Sequence, residues 1–256
     1  MGTGRAGTRP SGTLHGRRRP KRTGYGGLSV EELDVGKQIL RSPARARRGS
    51  LDEAILDGSG VVAFDFDGTL TVRDSFMAFL RWRTPAARFY LGLARLGPAA
   101  FAYLRHRDRG VIKAAAVREF LKGVTRTQLE TDARAFAEAT AARLLRPDAL
   151  RVWGEWRERR AELVIVTASP EILVAPFARG LGAHRLIGTR MAFDAADRVA
   201  GHFEGENCRG AEKVRRLREA YGDEIALRAA YGDTSGDAQM LEIAEEKGYR
   251  VFTQKP

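Results

Sequence analysis

The chain of 256 residues has one cysteine, Cys208. A lone thiol excludes any intramolecular disulfide, and no CxxC pair or Cys/His cluster offers zinc-ligand spacing. This suits a reducing compartment. His106, His184 and His202 are scattered along the chain and read as surface or packing residues, and Cys208 as a small buried or loop residue with no base beside it. No apolar run reaches the roughly 20 residues that span a bilayer; the richest stretch, Arg88 to Arg105, is interrupted by Arg95 and Pro98. An apolar signal-peptide core near the start is missing as well. Acidic residues are scarce in residues 1–50, which hold twelve Lys/Arg against three Asp/Glu, a net of +9 out of +12 for the whole chain. Residues 51–256 are therefore nearly balanced, and no nucleic-acid face is expected on the folded part.

Residues 1–27, with GRRRPKR in a Gly, Thr and Pro background, have too few apolar side chains to offset their ordering entropy. Residues 1–57 read as a basic, largely disordered extension. It is a solvated tail or an electrostatic arm for phosphates, and a mitochondrial transit peptide also fits its composition; with no aromatics among the basic residues, the tail is favoured.

What the rest contains is an alternation of β-branched runs and helical patterns, which predicts an α/β fold: a Rossmann-like parallel sheet with helices on both faces. VVAFDF (61–66), LVIVT (163–167), LRAAYGD (227–233) and YRVFT (249–253) are the expected strands, with LIGTRMAF and RVAGHF forming a hairpin. Between the first two strands the chain is rich in helix formers, with breaks at Thr84-Pro85, Gly97-Pro98, Gly110, Gly123 and Pro147. That is too long for a simple crossover and predicts a helical insert folded over the sheet edge.

Ligands of open α/β sheets bind beyond the carboxyl ends of the strands. The polar residues there are Asp65 and Asp67 in DFDGTLT, Thr167 and Ser169 in VIVTASP, and Asp233 and Asp237 in YGDTSGD, with Lys213 opening a predicted helix. Ionised carboxylates at the end of a buried run need a cationic partner. Carboxylates in oxygen-rich surroundings suit a hard cation such as Mg²⁺, which shares its shell with phosphate oxygens. Two positions apart, Asp65 and Asp67 would face the same side of a continuing strand, where one carboxylate attacks and the other handles protons. Lys213, Thr167 and Ser169 suit the stabilisation of a transferred phosphoryl group.

DFDGTLT, VIVTAS, the Lys of GAEK and GDTSGD, in this order over residues 61–256, resemble the four motifs of the haloacid dehalogenase-like hydrolases, chiefly phosphatases. The resemblance implies Asp65 as nucleophile, Asp67 as acid/base, and Mg²⁺ held by Asp65, the backbone carbonyl of Asp67, and Asp233, with Asp237 as ligand or support. Thr167, Ser169, Lys213 and Gly68 would surround the phosphoryl group. It also implies a core of residues 58–75 and 150–256 carrying a helical cap, 76–149, similar to that of subfamily IB.

Within that subfamily, TAS and GDTSGD depart from phosphoserine phosphatases, whereas NCRGAEK, TASP and GDTSGD look closer to the phosphatidylglycerophosphatases. This implies a phospholipid head group as substrate, in phospholipid biosynthesis, and a cytoplasmic protein with peripheral contact at the inner membrane face. Trp82, Phe89, Tyr90, Phe101 and Tyr103, edged by arginines, would then be interfacial anchors or would pack the cap on itself. A soluble phosphomonoester such as histidinol phosphate is the nearer alternative, and a basic lipid- or nucleic-acid-binding module on a non-catalytic fold the remote one. Arg73 and Asp74, near the DxD turn, are the first specificity candidates. Arg209 could reach a substrate phosphate or begin a solvated basic helix with Arg215, Arg216 and Arg218, and the solvated helix is favoured.

Overall fold

The computed structural model describes residues 60–97 and 109–256. The N-terminal extension, Phe101, Tyr103 and His106 lie outside them. Strand β1, Val61–Phe64, is buried along its whole length, as a central strand covered on both faces must be. Its pleat divides the interior. Val62 and Phe64 enter an aromatic-rich core with Trp153 and Phe177, while Val61 and Ala63 face a smaller one with Leu217 and Met240.

Helices α1 (Ser75–Arg83), α2 (Ala86–Arg95), α3 (Arg109–Phe120), α4 (Arg126–Leu144) and α5 (Pro147–Glu158) follow β1. Breaks fall at Thr84-Pro85, at Gly123 with φ +81°, and before Pro147 as anticipated. Gly110 lies inside α3. The chain then runs through β2 (Glu162–Pro170), α6 (Glu171–Leu181), β3 (Arg185–Phe193), β4 (Val199–Glu204), α7 (Ala211–Tyr221), β5 (Leu227–Gly232), α8 (Ala238–Glu242) and β6 (Ala244–Tyr249). The sheet order is β4-β3-β2-β1-β5-β6. Each neighbouring pair is parallel except β3 and β4, the anticipated hairpin. The expected α/β sheet with helices following its first strand is what folds.

Two local expectations change. The last strand is AEEKGY, paired with β5 from Leu227↔Ala244 to Gly232↔Tyr249, and not YRVFT. As an edge strand largely open to solvent, it carries charges that give it no strand-like pattern. Phe252 is buried without strand pairing, its ring 5.3 Å from that of Tyr231. The first strand, moreover, stops at Phe64, so Asp65 and Asp67 do not share a pleat. A tight turn over Phe66–Leu70, with Gly68 at φ +87°, places them instead.

The insert aromatics mostly pack inward. Trp82 lies against Phe79 and Phe136, and Phe89 is buried against Phe120. Tyr90 and Leu91 stay exposed, at 61% and 51%. Among the described residues no helix is long and apolar enough to cross a membrane.

Candidate active site

The carboxyl ends of β1, β2 and β5 converge on one polar cleft. Asp65 follows β1 with its backbone N–H donated to Tyr231 O across the sheet, 2.9 Å. Its Oδ1 accepts from Lys213 Nζ at 2.6 Å. That ammonium, 1% exposed, also donates to Asp237 Oδ1 at 2.7 Å and to the carbonyl of Val166 at 2.6 Å. All three of its protons are committed. Burial opposes the charge on Lys213, yet Asp65 and Asp237 hold its pKa above the usual lysine value.

Asp237 has burial against it too, but Lys213 and the Thr234 donors keep it below the ordinary carboxylate range. It accepts from the backbone N–H groups of Asp233 (3.2 Å) and Thr234 (2.9 Å) and from Thr234 Oγ1 (3.0 Å). Asp237 thereby ties Lys213 to the loop after β5.

One cation does not neutralise this cluster. Burial pushes Asp65 up to about 7 against the pull of Lys213, with Asp237 adding to the rise. Burial and Asp237 raise Asp233 likewise. Carboxylate oxygens of Asp65, Asp233 and Asp237 lie within 4.8 Å of one another, and Asp233 Oδ1 is buried with no hydrogen-bond partner. An orphaned buried carboxylate oxygen among two other carboxylates is the donor set a hard divalent cation takes. Gly68 makes room for the Asp233 carboxylate: a Cβ there would meet Asp233 Oδ2 at 2.2 Å.

Asp67 stands apart from that cluster. Its Oδ1 accepts from the backbone N–H of Ser75 at 2.7 Å, and its Oδ2 from Ser169 Oγ. Thr167, fully buried, accepts from the Ser169 N–H at 3.0 Å. Asp74 lies at the cleft wall and caps α1 through Met77 N–H, 2.8 Å. Arg73 is exposed and does not line the cleft.

Lys113, Asn207 and Arg209 also line the cleft. Lys113 escaped the sequence reading because nothing near it in α3 marks it; its Nζ crosses from the insert to Ser169 Oγ at 3.3 Å and Ala168 O at 3.4 Å. Of the two readings of Arg209 the structure goes against the favoured solvated helix: the residue precedes α7 and its guanidinium reaches Thr234 Oγ1 (3.4 Å) and Ser235 Oγ (3.1 Å). Its place beside GDTSG is a long-range consequence of α7 packing against α8 and β3. Arg216, also expected on the solvated face, is buried, bonded to Glu212 at 2.6 Å and to the carbonyls of Gly188 and Glu206. Arg215 and Arg218 are exposed as anticipated. His184 Nδ1 accepts from Leu163 N–H at 2.9 Å, a packing role. Cys208 is fully buried and burial raises its thiol to about 11, so it is inert.

The model of the haloacid dehalogenase-like hydrolase family matches residues 62–242. Protein CicA of Caulobacter vibrioides is 62% identical over 196 residues, 77% of this chain and 88% of that protein. Among solved structures, a protein of unknown function from Bordetella pertussis Tohama I superposes with a TM-score of 0.61 at 22% identity, covering 71% of this chain and 85% of that one. A substrate-bound phosphoserine phosphatase superposes at 0.52 with 18% identity, over 74% and 85% of the two chains. These two likenesses are of fold.

Proposed function

Because the chain belongs to the haloacid dehalogenase-like hydrolases, we propose that it is a Mg²⁺-dependent phosphomonoesterase working through an aspartyl-phosphate on Asp65. The observation that carries this reading is Lys213, buried between Asp65 and Asp237 beside the unpartnered Asp233 Oδ1. Asp65 and Asp233 would hold the cation with the Asp67 carbonyl, and Asp237 would support them. A bound divalent cation supplies positive charge against the equatorial oxygens of the phosphoryl group.

In this reading an Asp65 oxygen attacks phosphorus while Asp67 gives its proton to the departing alkoxide. Asp67 then takes a proton from water as that water attacks the aspartyl-phosphate, which releases phosphate and restores Asp65. Lys213 keeps the nucleophile oriented and offsets charge. The Thr167 hydroxyl, which only accepts from Ser169, retains its own proton for the phosphoryl group. The turn at Gly68 lets that group approach the backbone. Residues 76–149 would act as the cap that shields the reaction from bulk water.

For the leaving group we propose phosphatidylglycerophosphate, on the likeness of NCRGAEK, TASP and GDTSGD to the phosphatidylglycerophosphatases. Exposed Tyr90 and Leu91 on α2, with Arg81 stacked 5.6 Å from the Tyr90 ring, support peripheral contact with a membrane. A small soluble phosphomonoester is the second reading, favoured by a cleft of about 70 Å³ lined by charged and polar groups. Phosphate release by the full-length protein from phosphatidylglycerophosphate in mixed micelles, beside soluble esters including histidinol phosphate, tests both. Asp65→Asn must abolish release in either case; preference for the soluble ester removes the lipid.

A further inference from the structure

Ser169 stands two residues after Thr167 at the end of β2, with its Oγ between Lys113 Nζ and Asp67 Oδ2. A lysine ammonium has no acceptor, so the Lys113 contact of 3.3 Å requires Ser169 Oγ to accept. Its other side-chain contact is Asp67 Oδ2, which accepts the hydroxyl proton when the carboxyl is ionised and donates to the hydroxyl when it is protonated, so the pair stays joined through both proton-transfer steps. The other Asp67 oxygen takes the N–H of Ser75 at 2.7 Å. Ser75 is the first residue of α1, and its N–H is one of the donors that a helix start leaves without an intrahelical partner.

We propose that Ser169 is a positioning residue for Asp67, and that Lys113 of the insert holds its hydroxyl in place. This rests on the phosphatase reading above and deepens it. Asp67 is then oriented from three elements at once: the start of α1, the end of β2 and, through Ser169, helix α3. Ser75 and Ser169 lie in the core and Lys113 in the helical insert, so the proton-transfer geometry is completed only when the insert is seated on the core. Asp65 is oriented wholly from the core, by Lys213. Attack and protonation are thus set by different parts of the molecule.

The consequence can be read from leaving groups. Benzyl phosphate expels an alkoxide that needs a proton as it leaves, whereas p-nitrophenyl phosphate expels a stable phenolate that does not. kcat/KM for both reports steps up to phosphorylation of Asp65, so turnover of the intermediate does not enter the comparison. With the full-length protein in Mg²⁺, Ser169→Ala should lower kcat/KM on benzyl phosphate by about 100-fold, and about tenfold more than on p-nitrophenyl phosphate. Lys113→Met should show the same bias at about tenfold on benzyl phosphate, and Lys113→Arg, which keeps a donor, should recover most of it.

Equal losses on the two esters, a change confined to KM, or no loss would overturn the proposal. Thermal midpoints are followed for each variant; if Ser169→Ala does not fold, the Lys113 pair carries the same comparison. A wild-type protein that releases phosphate from neither ester, or an Asp65→Asn variant that still does, overturns the phosphatase reading and this inference with it. An active wild type with proportionate losses overturns this inference alone.

Discussion

Lys213 and Asp65 are 148 residues apart in the chain, and Lys213 Nζ lies 2.6 Å from Asp65 Oδ1 in a site closed to solvent. Helix α7 delivers the ammonium from beneath the sheet, where two carboxylates and a carbonyl complete its shell. Replacing it leaves Asp65 and Asp237 buried without their counter-charge. Lys213→Met should cost about 3–5 kcal/mol of stability and abolish phosphate release, measured by urea unfolding and by turnover. An unfolding midpoint equal to wild type would show that the triad contributes no net stability.

Gly68 and Asp233 meet across the turn after β1. With φ at +87° and the Asp233 carboxylate where a Cβ would stand, Gly68→Ala must strain the turn and displace that carboxylate. If Asp233 holds Mg²⁺, the variant should need about 10–100-fold more Mg²⁺ for a given rise in thermal midpoint. The same Mg²⁺ response in both proteins would mean Asp233 does not hold it.

Asp148, near the start of α5, accepts from the backbone N–H groups of Thr253 (2.7 Å) and Gln254 (2.9 Å). Despite burial, those donors hold its carboxyl below the ordinary range. They pin the segment that carries Phe252 against the core. Asp148→Ala should lower stability by about 1–3 kcal/mol and speed hydrogen exchange at Thr253 and Gln254 before the rest of the molecule. Unchanged exchange there would show that Phe252 alone holds the segment.

Glu212 is depressed to about 2, chiefly by hydrogen bonds from Arg215, with Arg216 overcoming the cost of burial. Its folded value lies below its ordinary 4.5, so its stabilising contribution is complete above that ordinary value. It is lost progressively as pH falls towards the folded value. Glu212→Gln should therefore flatten the stability profile between about pH 4.5 and pH 2, read from thermal midpoints across that range. A profile parallel to wild type would assign the acid sensitivity elsewhere.

Much of the architecture is legible in local chemistry. VVAF and LVIVT declare buried strands because β-branched runs bounded by polar residues have few other places to go, and Asp65, Asp67, Asp233 and Asp237 declare themselves because carboxylates at the ends of such runs need a cation. β6 is hidden for the opposite reason. Its AEEKGY sequence pairs on one edge only and leaves its charges in water, so nothing in its pattern distinguishes it from a helix. Trp82 and Phe89 look like membrane anchors in a linear reading, since an amphipathic stripe is the same whether a lipid surface or another helix covers it; here Phe136 and Phe120 cover them.

The sequence by itself determined the strands other than β6, the insert after the first strand, and the carboxylates that end β1 and follow β5, because each of these is a local pattern. The tertiary structure alone decided that Arg209 faces the cleft, that Lys113 reaches Ser169, and that Asp67 meets Ser169 while Asp65 meets Lys213. Those contacts join segments tens of residues apart, and which of many polar side chains meet is settled by helix packing on the sheet rather than by local pattern.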